Sequence, residues 1–364
     1  VSIPVYKNSK VYVACSANIA TGGPELLHQL AYNLRNELQI DAQMLYDGFD
    51  NKQYNTPVHF DYEHYNVPWT LEIAPSDDNG NNILIVPEVQ HFTSMLEKYS
   101  HIRKGVWFLS VDNYYLSRMS KCDLFFQRLT NKILSFFKYD PFFEIDIRKL
   151  NLKNKKPQND KSLIKASFYM TNSFRGLEWL EQAGMAPLFY LSEYINENFL
   201  QVTTDISKKE NIVAYNPGKG FSFTKKIIKH APNITFVPLI GMSRSDVVKT
   251  LQKSKVYIDF GNHPGKDRLP REAAILGCCV ITGKRGSAGY YEDVRIYDEF
   301  KFDDRPENIS KIVSKIKNCM DHFSENHKKF DEYREVIKNE QRTFIESLKK
   351  IFCMADISQE KDKK

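Results

Sequence analysis

Short apolar runs alternate along this chain with segments whose apolar positions recur every three or four residues, the signature of buried strands separated by amphipathic helices. The runs predict strands at Lys10 to Ala17, Ala42 to Tyr46, Ile83 to Val86, Val106 to Ser110, Ser167 to Thr171 and Leu188 to Leu191. Four more follow at Asn211 to Tyr215, Ile234 to Leu239, Val256 to Phe260 and Cys278 to Thr282. The helical period predicts helices from Pro24 to about Asn36, from Phe221 to His230, and from Ser243 to Ser254, the last capped by Ser243 or Ser245. Strand regularly followed by helix is the pattern of an α/β chain with parallel sheets. Phe330, Tyr333, Ile337, Phe344, Leu348 and Ile351 stand at helical spacings and predict one long amphipathic helix, with a frayed polar tail from Ser358.

Other stretches lack either period. Asp47 to Asn82 is polar, aromatic and turn-rich, and Asn151 to Lys161 reads as an exposed loop. Tyr114 to Tyr139 is crowded with aromatics, which core packing explains; an amphipathic insertion near a cleft or against a membrane is the alternative.

With 364 residues, the chain is long enough for two domains at roughly 150 residues each. A charged linker at Ser207 to Glu210 sets the expected division: 1–206, 207–330, and a terminal segment 331–364. Hydrophobic residues at 42% and charged residues at 26% suit a globular enzyme. No apolar run reaches the roughly 18 to 20 residues of a membrane span, and the first residues lack a basic-then-apolar secretory pattern, so a cytoplasmic chain is expected. Six cysteines are scattered without metal-type spacing, and Cys278 and Cys279 read as small core residues. The net charge of +6 is spread widely, which suits an anionic membrane surface or a phosphorylated substrate better than nucleic acid.

The candidate chemistry concentrates in Lys255 to Ser287, KVYIDFGNHPGKDRLPREAAILGCCVITGKRGS. This reads as strand, polar loop, short helix opening at Pro270 with Gly277 as its stop, and second strand. In a parallel sheet the loop lies at the carboxyl edge, where open α/β sheets bind ligands. His263, Lys266, Asp267 and Arg268 fall in that loop, and Glu272 in the first turn of the helix. After the second strand, Lys284, Arg285 and Ser287 stand in another Gly-rich loop. Earlier, Asn216-Pro217-Gly218-Lys219-Gly220 turns into a basic helix, and Gly22-Gly23-Pro24 separates the first strand from its helix, where backbone N–H groups could meet an anion or a sugar hydroxyl.

The PREAAILGCCVIT stretch resembles the donor-nucleotide signature of GT-B glycosyltransferases of the family 4/family 1-like, bacterial polysaccharide type, and TGGPELLHQLAYNLR resembles the first loop and helix of their N-terminal domains. The resemblance implies a GT-B fold: two Rossmann-like domains with parallel sheets facing a cleft, and a C-terminal helix crossing back to the first domain. It implies that Glu272 bonds the nucleotide ribose, that Lys219, His263, Lys266, Arg268, Arg285 and Ser287 bind the donor, and that Gly22 and Gly23 face the cleft. It further implies transfer of a sugar from a nucleotide diphosphate donor, UDP-type, to a glycan or lipid-linked acceptor, with no cofactor and no metal. The partners so expected are donor and acceptor, with peripheral contact at the inner membrane surface and no nucleic acid.

In the retaining members a second Glu stands eight residues before the ribose-binding one; here that position is Pro264, which favours an inverting displacement needing a general base. Asp112, Glu88 and His91 are the expected candidates in that order, each just beyond an apolar strand; Glu193 ends a further strand. Asp77-Asp78 and Asp303-Asp304 read as solvated turn residues rather than a metal motif. A GT-B epimerase or phosphorylase, and a non-catalytic nucleotide-sugar or glycan-binding subunit, are the alternatives.

Overall fold

The computed structural model describes residues 2–119 and 156–355, and these divide into two compact units. Residues 2–118, 156–193 and 342–355 belong to unit 1, and residues 194–341 to unit 2.

After a short strand β1 (Ile3–Tyr6), unit 1 is built on strands β2 (Lys10–Ser16), β3 (Asp41–Asp47), β4 (Trp69–Thr70), β5 (Ile83–Pro87), β6 (Arg103–Phe108), β7 (Phe168–Thr171) and β8 (Leu188–Tyr190). All pair in parallel, in the order β4-β3-β2-β5-β6-β7-β8. Helix α1 (Gly22–Asn36) follows β2 and buries Leu26, Leu27, Leu30, Ala31 and Leu34, the stripe its spacing predicts. Helices α2 (Gln90–Met95), α3 (Val111–Ser117) and α4 (Phe174–Gln182) follow β5, β6 and β7. The Oγ of Ser110 accepts the Asn113 N–H at 3.0 Å and starts α3, and Ser173 does the same for α4 through Gly176. The sheet grows outward from β2 to β4 and then resumes beside β2 with β5. That reversal opens a crevice at the carboxyl ends of β2 and β5.

Unit 2 carries strands β9 (Glu210–Tyr215), β10 (Thr235–Pro238), β11 (Ser254–Asp259), β12 (Cys279–Gly283) and β13 (Lys301–Phe302), all parallel, in the order β10-β9-β11-β12-β13. Helices α5 (Phe221–His230), α6 (Arg244–Lys253), α7 (Leu269–Ile275), α8 (Ile309–Asp321) and α9 (Asp331–Lys338) complete it, and Ser243 is the residue that caps α6. Here the reversal falls between β9 and β11. Cys278 and Cys279 are fully buried in the core with Val256, Ile258, Val280 and Ile281.

The division comes at Glu193/Tyr194, ahead of the charged linker at Ser207, because Ile195 and Phe199 already pack into the core of unit 2. The expected single terminal helix is two: α9 stops, and α10 (Glu340–Ile351) begins anew. The break falls at Asn339, whose N–H and Nδ2 both donate to the Glu335 carbonyl, at 3.2 and 2.7 Å. From Arg342 onward the chain belongs to unit 1, where β14 (Phe352–Ala355) pairs in parallel with β1. Of Tyr114 to Tyr139 only the part up to Met119 is described; there Tyr114 is fully buried, edge-on to Tyr115 and Trp179. Residues 151–155 and the tail from Ser358 also lie outside the described residues. Among the described residues no helix is long and apolar enough to cross a membrane.

Candidate functional site

In unit 2 the loops that follow β9 and β11 meet at the sheet reversal. Gly220 has φ +58°, and a Cβ there would run into the Phe260 carbonyl; a Cβ on Gly261 would run into the Lys219 side chain. Only glycines let the two backbones approach this closely. The closeness assembles a line of charged groups. Lys219 Nζ donates to Asp267 Oδ2 at 2.6 Å, Asp267 Oδ2 lies 3.1 Å from His263 Nδ1, and His263 Nε2 lies 3.6 Å from Asp259 Oδ1. Asp259 accepts in turn from the Tyr257 hydroxyl and the Gly261 N–H, both at 3.0 Å.

His263 is completely buried. Burial works against a charged ring, but Asp267 and then Asp259 outweigh it and raise the His263 pKa above its ordinary value. Burial alone would raise Asp259; His263 and Lys219 reverse this and hold its carboxyl below the usual range. Among the described residues, Asp259, His263 and Asp267 are a trio with metal-type ligand atoms within 4.8 Å of one another. The Lys219 ammonium faces the same carboxylates, and the trio reads as a device that favours the charged form of the His263 ring and holds it in place.

The loop after β12 closes around the same histidine. His263 and Gly286 form a parallel bridge, and the Ser287 N–H donates to the His263 carbonyl at 2.8 Å. The Ser287 Oγ is buried with no hydrogen-bond partner within the protein. Arg285 is anchored: Nη2 donates to the Phe260 carbonyl at 2.7 Å, and Nε lies 2.9 Å from Asp304 Oδ2. Arg268 stands at the N-cap of α7, whose first turn contains Pro270 and the nearly buried Glu272.

Lys266 departs from the expectation of a loop cation aimed at a ligand. It is buried, and its Nζ lies 2.9 Å from Glu340 Oε1. Glu340 also accepts from Nη1 of the fully buried Arg271 at 2.8 Å, and Arg271 donates to the carbonyls of Lys266 and Asp267. Lys266 is therefore part of a buried charge cluster that props the loop from behind. Sequence reading missed Arg271, Glu340 and Asp259. Their only signal was charge at positions of apolar period, which the pattern treats as solvent-facing.

In unit 1 the reversal lies between β2 and β5, so Gly22 and Gly23, which open α1, and Glu88, which follows β5, stand at its two sides. Glu88 is buried; its Oε2 accepts the Leu109 N–H at 3.0 Å, and burial carries its pKa up to about 7. Asp112, first of the expected bases, is buried against Arg175, whose Nη2 donates to it at 2.6 Å. His91 is exposed, with Nε2 at 2.5 Å from Oδ2 of Asp47, the last residue of β3. The carboxylate orients the ring and leaves Nδ1 as the acceptor. Asp47 was not foreseen, because β3 and α2 are far apart in sequence and meet only through the sheet. Glu193 accepts from Asn172 Nδ2 at 3.1 Å, and both are buried.

Three of the four acids read as solvated are structural: Asp77 accepts from Lys10 and from the Tyr12 hydroxyl, Asp78 accepts the N–H groups of Ser100, His101 and Ile102, and Asp304 pairs with Arg285, while Asp303 is exposed.

Two units, each with a Rossmann-like parallel sheet, define the GT-B architecture. Comparison with solved structures gives the same class. The chain is similar to Anabaena Alr3699/HepE in complex with UDP and glucose, at a TM-score of 0.58 and 10% identity over 94% of this chain and 98% of that one. It is also similar to the sucrose-phosphate synthase of Thermosynechococcus elongatus, at a TM-score of 0.59 and 10% identity over 94% and 97%. A third match is to E. coli trehalose-6-phosphate bound with UDP-2-fluoro glucose, at a TM-score of 0.54 and 9% identity over 94% and 99%. At such identities the likeness shows the fold. No protein-family model matches the sequence, and no curated protein matches it.

Proposed function

We propose that this chain is a glycosyltransferase that moves a sugar from a UDP-type nucleotide diphosphate donor to a glycan or lipid-linked acceptor, in cell-surface polysaccharide synthesis. The observation that carries the reading is the convergence of Lys219, His263 and the buried, unpartnered Ser287 Oγ at the sheet reversal of unit 2. An imidazole whose charged form is favoured by two carboxylates, beside hydroxyl and backbone donors, suits a diphosphate whose charge grows as the glycosidic bond breaks. Solved proteins of this fold hold UDP or a UDP-sugar, which agrees with that ligand class. Arg268 supplies a further cation for the diphosphate, and Glu272 an acceptor pair for the ribose hydroxyls.

For the acceptor hydroxyl, the base we assign is His91 in place of Asp112. Asp47 holds the ring and stabilises the imidazolium formed when His91 takes the proton, and the exposed ring can reach a substrate. The hydroxyl oxygen attacks the anomeric carbon, the bond to the nucleotide diphosphate breaks, and unit 2 binds the departing anion.

Calorimetric titration with UDP tests the reading. Wild-type chain should bind, and Arg268→Ala should lose about ten- to a hundredfold in affinity, the magnitude of one charge-assisted contact. Absence of UDP binding, or an unaltered affinity in Arg268→Ala and Ser287→Ala together, would remove unit 2 as a donor site.

A further inference from the structure

The turn-rich stretch after β3 folds back over α1 and borders a half-open cavity of about 570 Å³ on unit 1, a volume ordinary for small-ligand sites. Its walls come from α1, the end of β3, the short 3-10 helix at Phe60–Tyr65 and the edge strand β4. None of the residues assigned above to donor binding or to the base lines it.

One wall is aromatic. His28 stacks on Tyr62 at 4.5 Å between ring centres, Tyr46 lies edge-on to Trp69, and Trp69 remains 43% exposed on the outermost strand of the sheet. The hydrogen bonds beneath are directional. The Pro24 carbonyl can only accept, so His28 Nδ1 donates to it at 2.7 Å, and Nε2 must then accept from the Tyr46 hydroxyl at 2.6 Å. The Tyr46 proton is thereby used inside the protein, and its oxygen keeps acceptor capacity at the cavity wall. Glu63 adds an exposed carboxylate acceptor, and Asn66 an exposed amide.

Charge at the cavity selects against anions. Burial lowers the His28 pKa to about 4, so the ring is neutral, and Arg35 is balanced by Asp41 at 2.8 Å. The lining thus offers the Glu63 carboxylate and the Asn66 amide beside an aromatic platform, with its one guanidinium already paired. Hydroxyl groups that donate, on a ring with an apolar face that stacks, are what such a wall complements.

We propose that this cavity binds a neutral saccharide, packed against Trp69 with hydroxyls donating to Glu63 and Tyr46. The site is separate from the donor site and does not rest on the transferase reading. It is coupled to the Gly22-Gly23 loop, because Tyr62 donates to the Thr21 carbonyl at 2.8 Å and His28 to the Pro24 carbonyl. A saccharide held on this flank is thus positioned to steady the loop that opens α1.

Titration of the full chain with cellotetraose, maltotetraose and chitotetraose, followed by tryptophan fluorescence and calorimetry, tests the site. Of the three tryptophans, Trp107 is fully buried and Trp179 packs on Tyr114 and Tyr115, so the part of the fluorescence change lost in Trp69→Ala reports this site. Saturable binding of at least one tetrasaccharide is expected, weakened about fivefold in Trp69→Ala and also weakened in Glu63→Gln, with UDP leaving it unchanged. Glu63 is exposed and its variant carries the test if Trp69→Ala fails to fold. The proposal is overturned if no tetrasaccharide binds up to about 10 mM, if affinity is unchanged in every folded variant, or if uridine displaces the sugar. UDP binding at the donor site is read in a separate titration, so failure of one reading leaves the other standing.

Discussion

Glu340 is the residue whose removal should be felt most strongly in unit 2. Its two oxygens face Lys266 Nζ at 2.9 Å and Arg271 Nη1 at 2.8 Å, and all three side chains are buried. Glu340→Ala would strand two cations away from water, for which the expected loss is about 3–5 kcal/mol, the range for breaking a buried pair. A domain of this size shifts its melting point by roughly 2–4 °C per kcal/mol, so calorimetry should show unit 2 melting about 6–20 °C lower. The shift should be almost independent of salt, since buried charges are poorly screened. Glu340→Gln, which keeps one acceptor oxygen, should lose less. Because Arg271 also carries the Lys266 and Asp267 carbonyls, UDP affinity should weaken in Glu340→Ala even at temperatures where the variant is folded. A melting point lowered by less than about 2 °C would mean that the cluster is solvated and the reasoning wrong.

Three further outcomes are expected. Glu88 has a folded pKa raised from 4.5 to about 7 by burial; the native state then holds the extra proton between those values, so stability falls as pH rises through that window and stays lowered above it. Glu88→Gln should therefore raise the melting temperature at pH 8 and leave it nearly unchanged at pH 4, and equal effects at both would refute the assignment. His91→Ala should cut turnover by about 10²–10⁴-fold with UDP affinity and melting temperature intact, and Asp47→Asn by less; near-normal turnover in His91→Ala eliminates it as the base. Gly220→Ala must place a Cβ against the Phe260 carbonyl at φ +58°, so it should lower stability by at least about 1–2 kcal/mol and weaken UDP binding by separating the two loops. Unchanged UDP affinity in a folded Gly220→Ala would show that the close approach does not serve the site.

Some of this was legible in the order of residues. Strand and helix positions followed from local period, because a buried strand between two helices must be apolar along its length whatever surrounds it, and Val256 to Phe260 or Cys279 to Thr282 could be nothing else. The loops that carry the candidate chemistry were legible for the same reason, since their Gly, Pro and charged residues interrupt apolar runs. Asn339 shows the limit even of local reading: the apolar spacing runs through it from Phe330 to Ile351, and yet one helix stops there and the next begins. What tertiary structure alone decided are the partnerships. Lys266 looked like a ligand-binding cation until Glu340, distant in sequence, was brought against it, and Asp112 looked like a free base until Arg175 closed on it. His91 gained its carboxylate from Asp47 across the sheet, and the saccharide cavity arose from a stretch with no period at all. A side chain's chemistry is set by the charges and the dielectric around it, and those arrive from strands and loops whose neighbours the sheet order selects.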